Sequence, residues 1–341
     1  MSSDTPTTAP IFIVGTPRSG TTLTAQVLGR HSSLFMPGET HYLDDIYSRA
    51  EEIGVPDNDA AKTIISRRLY DLYQRYYEEP DQKRIEMLFK DENELKKALE
   101  NCHSFRDIFD QFMNLQMQYE NKQRWGNNAP RDLFGINDIL EFFPDAKIIV
   151  CVRDVRGFLL SYQGKWKVTG DGHAERLKKL YHPVITSLLW KASMKLLPGL
   201  QARVANDNFI IVKYEDLVSS SENTVKNICK IIDVDFEPDM LNVVSHNSSN
   251  TSPDKGIFST SIDKWKARLK PEEITISQLL CNKQLNFLGY DSYTPRRSIV
   301  QVLIIFVTTP YALWRALDAN KEMRGPLLPY VYRRLSALIR S

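Results

Sequence analysis

The sequence is poor in the residues that build metal sites and disulfide frameworks. Its four cysteines, Cys102, Cys151, Cys229 and Cys281, lie far apart in 341 residues with no C-x-x-C pair, which argues against a disulfide scaffold or a thiolate zinc site. Cys151 falls in an apolar run and Cys229 in an apolar helical pattern, so buried thiols in a reducing compartment are expected. The six histidines are scattered without an H-E-x-x-H or related spacing, so no metal site is expected. Charge of one sign is also lacking: 44 basic against 42 acidic residues leave a net +2. No bulk field therefore favours nucleic acid, and no such partner is expected. Residues 1–10 are rich in Ser, Thr and Pro and lack the basic start and apolar core of a signal peptide. The expectation is a cytoplasmic protein with a mobile tail over 1–10.

The apolar share of 42% and charged share of 25% suit a soluble globular chain with an ample core. Its organising stretch is 11–22, I-F-I-V-G-T-P-R-S-G-T-T. The run 11–14 predicts a buried strand, bounded by Gly15 and Pro17, and Leu23, Val27 and Leu28 continue at helical spacing after Thr21 and Thr22. Strand, glycine turn and helix start aim backbone N–H groups and a positive dipole end at one spot, which suits a phosphate or sulfate. Arg18 adds a planar fork of donors for an oxyanion. The spacing Gly15-x-x-x-x-Gly20-Thr21-Thr22 copies the nucleotide P-loop, but Thr21 stands where that loop carries its lysine. The missing lysine argues against ATP hydrolysis.

Farther along, the run 34–36 predicts a second strand closed by Pro37-Gly38, so Glu39 and His41 fall in the loop beyond a strand end, where open α/β sheets bind ligands. Residues 42–122 carry helical apolar stripes and are expected to cover the site and contact the acceptor. The passage 125–130 is expected to be turn-rich, followed by a helix over 133–143. The run 147–152 is the clearest strand, apolar enough for a parallel sheet covered on both faces. It ends at Arg153, and a helix over 155–165 carries Ser161, so both side chains can face one anion; the local alternative is an Arg153–Asp154 ion pair capping the helix. Helical segments fill 173–205, interrupted by Pro183 and Pro198, and 209–212 predicts another buried strand. The polar stretch 245–261 is expected to be a long loop, and a helix over 271–288 stops at Gly289. The apolar run 299–317, broken by Gln301, Pro310 and Arg315, is expected to be too short and interrupted to span a membrane. With Arg324, Arg333, Arg334 and Arg340 close by, it leaves two readings: peripheral membrane attachment, or a terminal helix packed on the domain or on a second copy.

Four of these features together resemble the sulfotransferases that use 3′-phosphoadenosine 5′-phosphosulfate (PAPS). Thr16-Pro17-Arg18-Ser19-Gly20-Thr21-Thr22 resembles their 5′-phosphosulfate loop, and 148–154 followed by Ser161 resembles their 3′-phosphate motif with its eight-residue Arg-to-Ser interval. Lys213-Tyr214-Glu215-Asp216 resembles the strand-end motif that touches the adenosine, and the polar loop before Lys264-Trp265 resembles the late loop that covers the donor. The likeness is greatest to the branch holding tyrosylprotein and many bacterial sulfotransferases. It implies an α/β, P-loop-NTPase-like three-layer fold with a central parallel sheet and helices on both faces. The domain would cover 11–290, with a helical insertion at 42–122 and an apolar, basic extension at 291–341.

The resemblance further implies PAPS as cofactor, with no metal, bound by Pro17, Arg18, Ser19, Gly20, Thr21, Thr22, Arg153, Ser161, Lys165, Tyr214 and Lys264. In that branch the general base is a glutamate 21 residues after the loop arginine, which from Arg18 falls on Glu39. His41 is the competing base. Family members often carry a lysine, thought to steady the transition state, where N-N-A-P at 127–130 places Asn128. An amide donates a hydrogen bond but brings no charge, leaving open a substitute cation, a slower reaction or a different site. The expected acceptor is a small-molecule, saccharide or lipid-linked hydroxyl, with homodimerisation and peripheral membrane contact through 299–340 as further expectations. A P-loop kinase or NTPase-like phosphotransferase, and a catalytically weakened binding protein of the same fold, are the alternatives.

Overall fold

Runs of β-branched and aromatic residues that alternate between two apolar faces dictate a sheet covered on both sides. In the computed structural model, which describes residues 9–78, 87–164, 171–247, 250–255 and 262–319, five strands pair in such a sheet. They are β1 (Ile11–Gly15), β2 (Leu34–Phe35), β3 (Arg124–Asn128), β4 (Lys147–Val152) and β5 (Phe209–Lys213), in the order β2-β3-β1-β4-β5. Every pairing is parallel, with Ile13 opposite Asn128 on one side and Ile149 on the other. Period-two alternation then assigns the faces. Phe12, Val14, Ile148 and Val150 join one core with Phe109, Phe158 and Trp190; Ile11, Ile13, Ile149 and Cys151 join a second with Val27, Leu28, Val225 and Ile228. The result is a three-layer α/β fold. All four cysteines are buried and free.

The chain leaves β1 towards β2 and leaves β4 towards β5. Connections diverging from neighbouring strands open a crevice at their carboxyl ends, the usual ligand position in such sheets. β1 and β4 approach closely there because Gly15 has no side chain: a Cβ at this position would lie 2.2 Å from the Cys151 carbonyl oxygen.

Three expectations change. The passage 125–130 is not turn-rich but contributes the buried central strand β3. Its polar letters conceal it: Trp125 packs edge-on against Phe12 at 5.7 Å, and Gly126 makes room for Met36, whose sulfur would lie 2.4 Å from a Cβ. The interruptions expected at Pro183 and Pro198 are present: each proline sits in the first turn of a new helix, Pro183–Met194 and Leu197–Arg203, where a missing N–H costs nothing. Of the expected loop 245–261, the described residues form an antiparallel hairpin, β6 (Val244–Asn247) with β7 (Asn250–Lys255). The C-terminal run is one helix, Ile299–Ala319, that continues through Pro310. At about 1.5 Å per residue its length matches a bilayer core, so by length and composition it can cross a membrane. It packs against the helices Asp171–Leu180, Pro183–Met194 and Pro271–Phe287.

Gly15 has a φ of 147° besides its crowded position. Gly15→Ala is therefore expected to destabilise the fold by about 2–4 kcal/mol, the range of an overpacked core position with backbone strain. Chemical denaturation beside the wild type measures it.

Candidate functional site

The turn after β1 is built from its own hydroxyls. The Ser19 N–H donates to the Thr16 carbonyl at 3.2 Å, and the two buried side-chain hydroxyls bond each other. This sharp turn holds Arg18 at φ 75° and Gly20 at φ 93°. Gly20 is needed twice over, because a Cβ there would also meet the Tyr214 ring at 2.9 Å. The helix Thr21–Gly29 follows with no side-chain cap and no acidic residue in its first turn. Its leading N–H groups thus face the crevice as donors, the arrangement that binds anions.

Two guanidinium groups converge on that turn. Arg18 Nε donates to Ser161 Oγ at 3.2 Å, and Arg153 Nη1 donates to the Arg18 carbonyl at 3.3 Å. Arg153 lies 4.1 Å over the Tyr214 ring, and its own carbonyl accepts the indole N–H of Trp190 at 2.9 Å. Among the described residues its Nε is buried without a hydrogen-bond partner. Burial first, and the charge of Arg153 second, lower the Arg18 pKa, with Tyr214 opposing. A pair of like charges held half out of water is a standing demand for an anion. Among the described residues the local alternative, an Arg153–Asp154 ion pair, is not formed. Asp154 bonds Arg156, which also donates to Gln278 at 2.8 Å and lies 4.1 Å over Trp265. Glu215 ties the strand ends together, accepting the Asp154 N–H at 3.1 Å and the Tyr290 hydroxyl at 2.8 Å.

A second group of charges lies beyond β2 and β3. Glu39, partly exposed, is 3.4 Å from His41 Nε2, and His41 Nδ1 is 3.3 Å from Asp44, which also faces Arg131 at 3.7 Å. The hydrogen bond to Asp44 raises the His41 pKa, against burial and Arg131, with the charges of Asp44 and Glu39 adding to it. Beneath, Thr40 donates to Asn127 at 2.8 Å and Asn127 to Asp132 at 3.0 Å. Asp132 is fully buried, and burial followed by the charge of Asp44 pushes its pKa well up. One oxygen of Asp132 and the side-chain oxygen of Asn128 are buried without a hydrogen-bond partner among the described residues.

Residues 10–238 match the model of the Sulfotransferase family. The chain belongs to that family. Among curated relatives, an uncharacterized protein of Aquifex aeolicus (strain VF5) is 25% identical over 76% of this sulfotransferase-family chain and 31% of its own length. The Protein-tyrosine sulfotransferase A of Caenorhabditis elegans is 24% identical over 82% of this chain and 67% of its own. The chain thus spans under a third of the first relative. Two solved structures share the fold: the sulfotransferase domain of the Synechococcus PCC 7002 olefin synthase (23% identity, TM-score 0.55, 85% of this chain and 98% of that one) and the sulfotransferase domain from the curacin biosynthetic pathway (20% identity, TM-score 0.52, 85% and 100%).

In this family member the structure brings Pro17, Arg18, Ser19, Gly20 and Thr21 together with Arg153, Ser161 and Tyr214, while Thr22 lies exposed on the first helical turn. Glu39 and His41 form their own contact farther along the sheet edge. Lys264 opens the short helix Lys264–Arg268, and among the described residues no hydrogen bond or ion pair joins it to the arginines; its neighbour Trp265 makes the link, over Arg156. Lys165 lies outside the described residues. Asp44, Arg131 and Asp132 were missed from sequence, although Asp44 follows His41 at the i,i+3 spacing that brings helical side chains together.

Because its pKa in the fold is raised above the ordinary 6.5, His41 contributes stability that is fully present below about pH 6.5 and lost as pH rises through the folded value. The side chain is 38% exposed, so screening keeps the effect small. The stability difference between wild type and His41→Gln is expected to shrink between acid and mildly alkaline pH, as read by denaturation at a series of pH values.

Proposed function

We propose that this chain is a sulfotransferase that moves the sulfuryl group of PAPS to an acceptor hydroxyl. The observation that carries the reading is the convergence of Arg18, Ser161 and Arg153 across the β1/β4 crevice. The unpartnered Arg153 Nε and the uncapped helix start beside it fit a ligand with two separate anionic groups. In this reading Arg18 and the N–H groups of 19–22 bind the 5′-phosphosulfate end, Arg153, Ser161 and Lys165 the 3′-phosphate, and Tyr214 and Lys264 the adenosine side.

Sulfuryl transfer, like phosphoryl transfer, spreads charge over equatorial oxygens with nucleophile and leaving group in line. The acceptor oxygen forms a bond to sulfur as the sulfur–phosphate oxygen bond breaks; Glu39 takes the acceptor proton, and the 5′-phosphate leaves with the electron pair. Arg18 and the loop donors meet the charge that develops on both oxygens, work of roughly 3 kcal/mol per donor. The acceptor is a small-molecule, saccharide or lipid-linked hydroxyl. A second reading, a binding protein with weakened chemistry, draws on Asn128, a buried neutral amide where the family resemblance implies a lysine.

Titration with adenosine 3′,5′-bisphosphate and, separately, ATP with Mg²⁺ tests the donor; binding of the bisphosphate alone is expected. Arg153→Ala should weaken it by roughly 10–150-fold, the loss of one charge-assisted contact. Glu39→Gln should bind the bisphosphate as the wild type does while sulfate transfer, followed by mass shift across an acceptor panel, falls by about 10²–10⁴. Equal transfer by both proteins would remove Glu39 as the base. Bisphosphate binding without transfer by either, across the panel, would favour the second reading.

A further inference from the structure

The helix Ile299–Ala319 has two faces that ask for different surroundings. One face, with half-buried Val302, Ile305 and Phe306 and buried Ala312, lies on the body of the protein. Both ends are fastened there: the Ser298 N–H donates to Glu272 at 3.0 Å, and Arg315 donates to the Tyr181 carbonyl at 3.3 Å. The other face carries Val300, Leu303, Ile304, Val307, Tyr311 and Trp314, each more than half exposed and Val307 79% exposed. Their spacing puts them on one continuous stripe, far more apolar surface in one place than a soluble surface ordinarily shows. Tyr311 and Trp314 stack at 5.9 Å, side by side on that stripe; amphipathic rings of this kind favour the boundary between headgroups and acyl chains.

The charge carried by this end of the sequence indicates what covers the stripe. Residues 296–341 hold eight basic side chains against two acidic ones, a surplus of six in a chain whose total is only +2. Arg296 and Arg297 stand exposed at the head of the helix. A second copy of this chain would bring the same positive charge to the contact, whereas an anionic bilayer complements it.

We infer that the outer face of Ile299–Ala319 docks in the plane of an anionic lipid surface, holding the protein on the membrane as a monotopic attachment. The helix is long enough to cross a bilayer, but crossing would strip the Ser298 and Arg315 contacts and expose the polar atoms of Thr309 and Arg315 to hydrocarbon. Lying flat keeps both.

The full chain is mixed with vesicles of phosphatidylcholine and with vesicles of phosphatidylcholine and phosphatidylglycerol in equal parts, then floated on a density gradient. The wild type is expected to float with the anionic vesicles, less so as salt is raised. Val307→Glu, at an exposed position that leaves the fold intact by circular dichroism and melting temperature, should lower partitioning on the order of tenfold or more. Arg296→Gln with Arg297→Gln should lower it about fivefold for each arginine. Failure to float with either vesicle, or flotation unchanged by Val307→Glu, overturns the inference. So does a dimer, seen by light scattering, that Val307→Glu dissociates in the absence of vesicle binding; that result assigns the face to a second copy.

Discussion

The rest of the site depends on the arginine pair that meets across the ends of β1 and β4. Two guanidinium groups drawn together out of bulk water repel, and the contacts that place them include a serine hydroxyl, a backbone carbonyl and the face of a tyrosine ring. None of these cancels charge. The charge is therefore already in position before any ligand arrives, and an incoming anion gains attraction without having to organise the groups that supply it. The parts of the fold around the pair serve this arrangement. Gly15 lets the strands close up, Gly157 leaves room beside Arg153, where a Cβ would stand 3.1 Å from Nε, and Trp190 anchors the Arg153 backbone.

Backbone conformation marks the same region. Among the described residues, four non-glycine residues have positive φ: Arg18, His41, Asn121 and Asp233. Asn and Asp adopt this region readily, because their short polar side chains find local hydrogen bonds. Arginine and histidine have less reason to, and such residues persist where the surrounding structure overrides their preference. Arg18 is overridden by the Thr16–Ser19 turn and by Arg153 on its carbonyl. His41 is overridden by carboxylates on both ring nitrogens. The two unusual backbones sit at the two charged groups of the site.

Much of this was legible in the sequence, and the parts that were not share a cause. β1, β4 and β5 are continuous apolar runs because both sheet faces are covered, and the Arg153-to-Ser161 interval is set locally by strand end and helix start. β3 was hidden because its carboxyl half spends its side chains on the site: Asn127 links Thr40 to Asp132, and Asn128 is buried beside them. A strand that serves chemistry loses the apolar signature of a strand. Asp44 and Asp132 were invisible for a related reason, since only tertiary contact distinguishes them from surface carboxylates. The helix through Pro310 was misjudged because a proline was read as a break, whereas the flanking turns and the body beneath carry the chain through.

Strand order also gives the site a direction. Reading along the carboxyl edge of the sheet, the carboxylates belong to β2 and β3 and the arginines to β1 and β4, with Tyr214 at β5. Within the proposed chemistry, the proton acceptor and the anion clamp therefore come from different strands, the first from the β2 side of the sheet and the second from β1 and β4. The same layout separates the two bases that sequence alone left in competition. His41 lies between Glu39 and Asp44, and its raised pKa keeps it protonated to higher pH than a free imidazole. A protonated imidazole cannot accept the acceptor's proton, but it can orient Glu39 and moderate the repulsion between Glu39 and Asp44. It also supplies a positive charge on the side of the site where Asn128 supplies none. On this reading His41 is a positioning residue, and the base is Glu39.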